Sequence, residues 1–158
     1  LGLSPYPNVN DATGLAFGVN GDRPYAHWPF SLKVINDAIS YDYSDITYAL
    51  DPSLVSWEKQ GIFLTNVALT CEAGQALSHI ELWRPFTEKV IKLLDENRII
   101  FYLLGNEAKS YKQHIKYSAI FESVHPAALA YNADLKFDSK FKEVDYAHYL
   151  INKSNINW

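Results

Sequence analysis

The feature that most limits what this chain can become is a set of four short apolar segments, Leu1–Leu3, Ile62–Val67, Ile99–Leu104 and Ile120–Val124, three of which stop at polar, glycine or proline residues. Near-continuous apolar runs of this length are what strands buried on both faces look like. Between the second and third segments, Phe86, Val90, Ile91, Leu93 and Leu94 recur at helical spacing. They predict a helix over Pro85–Glu96, with Pro85 in its first turn, where a missing N–H costs nothing. Strand, helix, strand is the unit of a parallel sheet covered by helices. The expected fold is therefore α/β, with a central four-stranded parallel sheet flanked by helices. Leu32, Ile35 and Ile39 predict a further helix over Ser31–Ile39, with Ser31 as its cap, and a last helix is expected around Phe141–Ile151. Residues 40–56 read as less regular.

Length decides the domain count. At 158 residues, 48% of them hydrophobic, the chain can enclose one sizeable core and not two, so residues 1–158 are expected to form one domain. The sequence contains no methionine, which predicts that it is a piece of a longer protein with its N-terminal segment missing. Cys71 is the only cysteine, which excludes an internal disulfide, a cysteine-built zinc site and a multi-cysteine iron–sulfur cluster. No metal or cofactor is expected. No apolar run is long enough to cross a bilayer and no signal peptide is visible, so an intracellular, cytoplasmic protein is expected, nucleoid-associated if bacterial. A net charge of −4 argues against a protein that coats nucleic acid, because nonspecific affinity comes mostly from neutralising phosphates. Lysines nevertheless gather late in the chain, at Lys109, Lys112, Lys116, Lys136, Lys140, Lys142 and Lys153, as a solvated face or as phosphate contacts.

In an open parallel sheet, ligands sit beyond the carboxyl ends of the strands. Those ends here carry Ser4-Pro5-Tyr6, Asn66, Gly105-Asn106 and His125-Pro126. That set is more polar and more specific than chance would usually give.

Five motifs in order make the resemblance specific. Gly2-Leu3-Ser4-Pro5-Tyr6-Pro7 followed by Gly14-Leu15-Ala16-Phe17 resembles the water-activating loop and base-stacking phenylalanine of family 1 uracil-DNA glycosylases. Trp28-Pro29-Phe30-Ser31-Leu32 resembles their proline-rich loop. Gln60-Gly61-Ile62-Phe63-Leu64-Thr65-Asn66-Val67-Ala68-Leu69-Thr70 resembles the strand delivering the uracil-reading asparagine, with Ser78-His79 and Phe86-Thr87 around the middle helix. Leu104-Gly105-Asn106-Glu107-Ala108 resembles the glycine–serine loop, and His125-Pro126-Ala127-Ala128-Leu129 the loop with the catalytic histidine and intercalating leucine. The likeness runs from Gly2 to about Leu129.

That resemblance implies a DNA-repair glycosylase that hydrolyses the N-glycosidic bond of uracil, or a related modified base, flipped out of single- or double-stranded DNA. It implies Phe17 as the stacking ring, Asn66 as the reader of uracil O4 and N3, and Tyr6 as the group excluding a C5 methyl. His125 would stabilise the departing base as catalytic donor, and Leu129 would be the plug. Ser31, Asn106 and Ala127 fall in the loops that grip the DNA backbone. A monomer is expected.

The departures from the family are also specific. Ser4 stands where the family has its water-orienting aspartate, and Leu3 where it has the preceding glutamine. Losing one preorganised electrostatic group costs about a hundred- to a thousandfold in rate. Other branches of the superfamily work with asparagine or alanine at this place. Ala127 and Ala128 replace the serine and proline of the leucine loop, and Asn106 the serine of the glycine–serine loop. Asp11 and Asp22 are nearby in sequence as substitutes for the missing carboxylate. Two other readings stand beside the enzyme: a weakened or inactive homologue acting as a DNA- or protein-binding module, and a serine hydrolase using Ser4 or Ser78 with His79 or His125. Neither serine lies in a Gly-x-Ser-x-Gly elbow.

Overall fold

The computed structural model describes residues 1–44, 50–132 and 134–158. Two strands form a regular parallel ladder: β1 (Ile100–Leu104) and β2 (Ala119–Ser123), with Ile100 opposite Ala119 and Leu104 opposite Ser123. On the other side of β1, the Leu1 nitrogen donates to the Tyr102 carbonyl at 2.7 Å, and the Leu104 N–H donates to the Leu1 carbonyl at 3.1 Å. Gly2 in turn forms a parallel bridge with Asn66, and the Val67 N–H donates to the Gly2 carbonyl. The four apolar segments therefore lie side by side in the order 62–67, 1–3, β1, β2. Only two of them are strands among the described residues, against the four expected. The segments at 1–3 and 62–67 touch through an isolated bridge too short for a ladder.

Five α-helices surround this arrangement among the described residues: α1 (Phe30–Asp42), α2 (Val55–Glu58), α3 (Ile80–Glu96), α4 (Asn106–Ser110) and α5 (Phe141–Asn152). Alternation along β1 divides the core in two. Ile100 and Tyr102, with Phe121 of β2, pack against a cluster built from Leu32, Ile35 and Ile39 of α1, Trp57 of α2 and Phe141 and Val144 of α5. Phe101 and Leu103 join a second cluster with Val67, Ile80 and Ile91 of α3, Ala108 of α4 and Tyr111. Helices thus cover both faces, and the ends that carry the polar residues are left open.

Two helix starts differ from the sequence expectation. Helix α3 begins at Ile80, so Pro85 is an interior residue rather than a first-turn one. A proline there removes the bond to the Glu81 carbonyl and costs about 3 kcal/mol in isolation. Burial of Ile80, Thr87 and Ile91 on the same helix offsets it. Helix α1 begins at Phe30 with Pro29 as its N-cap, so Ser31 is a buried residue of the first turn and makes no cap. The less regular stretch over 40–56 lies partly outside the described residues, and the short helix α2 follows it.

One carboxylate fixes the entry into β2. Asp95, buried near the end of α3, accepts from three successive backbone N–H groups, Lys116 (2.7 Å), Tyr117 (3.0 Å) and Ser118 (2.9 Å). Backbone donors that face the interior need such a partner, and here the turn before β2 is tied to the helix that precedes β1.

Candidate active site

The loops beyond the strand ends enclose a cavity of about 780 Å³ whose lining includes Ser4, Tyr6, Phe17, Ser31, Asn66, His125 and Ala127. These residues come from five separate stretches of chain. The sheet order explains why they converge: Asn66 sits at the bridge to Gly2, Ser4 and Tyr6 follow Leu3, and His125 lies just past β2.

Two glycines make room for this convergence. A Cβ at Gly2 would collide with Asn66 Oδ1 and would stand 3.0 Å from Phe17 Cζ. A Cβ at Gly105 would stand 2.8 Å from His125 Cβ, and Gly105 also has φ +93°, a conformation L side chains rarely adopt. The first glycine holds the asparagine and the phenylalanine close together; the second lets β1 end against the histidine.

Phe17 is held in a strained conformation. Its φ is 68°, rare for an aromatic residue. The Tyr6 hydroxyl donates to the Phe17 carbonyl at 2.9 Å and lies 3.2 Å from Ser31 Oγ. Burial pushes the Tyr6 phenol up to about 12, so it is a neutral donor at physiological pH. Ser31, expected to cap a helix, is instead a buried partner of Tyr6 on the cavity wall.

His125 is held on one ring nitrogen. The Ala127 N–H donates to His125 Nδ1 at 3.2 Å, so in the neutral ring the proton resides on Nε2. Burial pulls the imidazole pKa down to about 4. The ring stands 5.7 Å from that of Phe17, centroid to centroid. The result is a neutral imidazole with a single N–H donor. Asn66 also lines the cavity, and among the described residues nothing hydrogen-bonds its amide.

The residues around Ser4 were not legible beforehand. Ser4 Oγ accepts from the Leu77 N–H at 3.3 Å and reaches the Pro5 carbonyl at 3.2 Å. The Gly74 N–H donates to the Pro7 carbonyl at 2.9 Å. These contacts tie the loop over residues 4–7 to the loop over residues 71–77, and Thr70, Cys71, Ala73, Ala76 and Leu77 thereby join the cavity wall. The only sequence hint was Ser78-His79, at the end of that loop.

Two of the residues expected to plug the duplex or grip its backbone lie outside this cavity. Leu129 is half-buried in the short 3-10 turn Pro126–Ala130 and does not line the cavity; Asn106 is exposed at the start of α4, also outside it. Asp11 is paired with Arg23, and with Asp22 lines a separate cavity of about 520 Å³, so neither carboxylate replaces the missing one. Among the described residues, no Asp, Glu, Lys or Arg lines the main cavity. Two of the late lysines are engaged elsewhere, Lys112 with Glu122 and Lys140 with Asp138. The serine-hydrolase arrangement is absent among the described residues: Ser78 Oγ accepts from the Glu72 N–H, and His79 Nδ1 pairs with Thr70 Oγ1. No helix is long and apolar enough to cross a membrane, and no cluster of three or more metal-ligating side chains is found, again among the described residues.

Comparison with known proteins decides what this arrangement is a version of. The family model of the uracil DNA glycosylase superfamily matches residues 1–147. The chain belongs to that superfamily. It is 37% identical to the uracil-DNA glycosylase of Francisella tularensis subsp. holarctica over 165 aligned positions, which cover 100% of this chain and 73% of that protein. The counterpart in subsp. novicida gives the same identity and coverage. Among solved structures, mimivirus uracil-DNA glycosylase superposes with a TM-score of 0.83 at 26% identity, covering 99% of this chain and 65% of that one. A variant of the mimivirus protein in complex with UGI matches with a TM-score of 0.82, covering 66% of its chain. This member of the superfamily therefore spans about two thirds of the mimivirus protein, and its fold is of the uracil-DNA glycosylase type.

Proposed function

We propose that this superfamily member is a DNA-repair glycosylase that hydrolyses the N-glycosidic bond of uracil, or a closely related base, extruded from DNA. The observation that carries the reading is the convergence of Phe17, Asn66, Tyr6 and a neutral His125 on one cavity, each supplying a different part of base recognition.

The base stacks on Phe17, and the Asn66 amide offers its N–H to O4 and its carbonyl to the N3 hydrogen. Cytosine presents the reverse pattern there and leaves both amide groups opposed. Tyr6, fixed through its hydroxyl, walls the C5 side. As the C1′–N1 bond breaks, electrons move onto the base, and His125 Nε2–H donates to O2, where that charge accumulates. A water attacks C1′ from the other side, and Ser4, on the cavity wall where the family has its aspartate, is the residue we assign to help hold it. No carboxylate takes the water's proton, which passes to the departing base or to solvent. We also read residues 1–158 as a single glycosylase domain, working as a monomer without metal or cofactor. The hydrogen bonds along 62–67 and 1–3 support these segments as two further strands of a four-stranded sheet, 62–67 at its edge and 1–3 between it and β1.

The test is incubation with single- and double-stranded oligonucleotides containing one uracil, followed by alkali to reveal abasic sites. Cleavage that Asn66→Ala and His125→Ala each abolish is the expected result. One observation favours a second reading, a binding module without efficient chemistry: the cavity wall holds no carboxylate among the described residues. Tight binding of the same oligonucleotides with no abasic product, even at enzyme excess, would establish that reading instead.

A further inference from the structure

The mouth of the cavity carries a side chain that none of the assigned roles uses. Tyr131 lines the cavity yet is 90% exposed, the most solvent-facing of the exposed large hydrophobic residues. Its backbone is not loose: its N–H donates to the Ala128 carbonyl at 3.1 Å and closes the 3-10 turn that starts at His125. The ring is therefore presented from the same rigid turn that holds the catalytic imidazole. Val9, 76% exposed, and Leu77, 45% exposed, stand on the same lining, so the mouth has an apolar rim. A single exposed tyrosine is unremarkable on a protein surface. Four exposed large apolar side chains around one opening, Tyr131, Val9, Leu77 and Leu69, with no lysine or arginine in the lining among the described residues, are different.

We propose that Tyr131 is a positioning residue that stacks on the nucleobase adjacent to the extruded one. This inference rests on the glycosylase reading above and adds a contact to it. A nucleotide whose base enters the cavity brings its chain neighbours to the rim, and their exposed faces need a partner once the stack is opened. Every base has a π-face, so an aromatic ring accepts any neighbour. Leu129 is the poorer candidate for this contact, being half-buried and outside the cavity. The absence of lysine and arginine from the wall among the described residues makes stacking the stronger of the two ways the rim can hold a strand.

The experiment uses the whole chain and an oligonucleotide with 2-aminopurine next to uracil, compared among the natural protein, Tyr131→Ala and Tyr131→Phe. Because the side chain is exposed, neither change threatens folding. Tyr131→Ala should raise KM roughly 5- to 150-fold, the range that loss of one base–aromatic stack gives, with a smaller effect on kcat. It should also abolish the change in 2-aminopurine emission on binding, and Tyr131→Phe should restore both. If the natural protein cleaves uracil while Tyr131→Ala keeps its KM within about twofold and its emission change, the stacking role is overturned and the glycosylase reading stands. If nothing is cleaved but the emission change depends on Tyr131 in the same way, the contact stands and the glycosylase reading falls. Equal damage from Tyr131→Phe and Tyr131→Ala would overturn stacking in favour of the hydroxyl.

Discussion

Protonating His125 should cost this protein stability in a pH window that no exposed histidine shows. The native imidazole has its pKa lowered by burial from 6.5 to about 4. Between these values the unfolded chain binds the proton and the folded chain does not, so stability rises with pH through the window and is lost as pH falls from about 6.5 towards 4. Each pH unit inside it is worth about 1.4 kcal/mol. Going from pH 7 to 4.5 should therefore remove at most about 2.5 kcal/mol through this one residue, and nearer 1 because the ring is not wholly enclosed. Urea denaturation of the natural protein and His125→Gln at both pH values isolates the effect, since the other titrating groups cancel in the difference. The variant should lose that much less on acidification. A 15N spectrum of the imidazole gives the second readout: a proton on Nε2, an unprotonated Nδ1, and a midpoint near 4. A midpoint near 6.5, or the same pH dependence of stability in both proteins, would refute the lowered pKa, and a neutral ring with its proton on Nδ1 would refute the geometry assigned to the Ala127 N–H.

Three further substitutions probe how the cavity is held. Ser4→Ala should destabilise by about 1 kcal/mol by leaving the Leu77 N–H without its acceptor, whereas Ser4→Asp keeps an acceptor there and should raise the rate of uracil release by about a hundredfold or more; equal rates in all three proteins would detach position 4 from the chemistry. Gly105→Ala should cost about 1–3 kcal/mol in thermal unfolding and shift the His125 resonances, because φ +93° and the nearby His125 Cβ both oppose a side chain; an unchanged spectrum would mean the turn yields freely. Thr87→Val removes the 2.7 Å bond from a buried hydroxyl to the Val67 carbonyl, next to Asn66, and should cost about 1–3 kcal/mol in urea; a neutral result would show that carbonyl satisfied otherwise.

What the sequence made legible follows from which forces are local. Helices α1 and α5 could be read because one face of each is apolar at helical spacing, and β1 and β2 because short apolar runs ending in glycine or polar residues have few other uses. The start of α3 could not, because Pro85 is a sound first-turn residue by local rules, and only tertiary burial of Ile80 makes the extra turn worth its missing hydrogen bond. The glycines at 2 and 105 were visible as motif letters, but the reason for them is a close approach between residues far apart in the chain, Gly2 to Asn66 and Gly105 to His125. The loop over residues 71–77 was missed for the same reason: nothing in its composition announces that it bonds to Ser4 and Pro7. Leu129 and Asn106 were read from their motifs as contacts to DNA rather than to the base, and their side chains stand outside the cavity that the other motif residues build.

A wall without acidic or basic side chains among the described residues, its histidine neutral, changes how the site communicates with its surroundings. Coulombic fields from fixed ions are screened by salt, whereas a neutral amide and a neutral imidazole act through short dipolar contacts that salt barely reaches. Bond breaking inside this cavity should thus proceed at the same pace in dilute buffer and in concentrated brine. All sensitivity to ionic strength would then fall on how the nucleic acid arrives and leaves, a division readable as a flat kcat beside a salt-dependent KM.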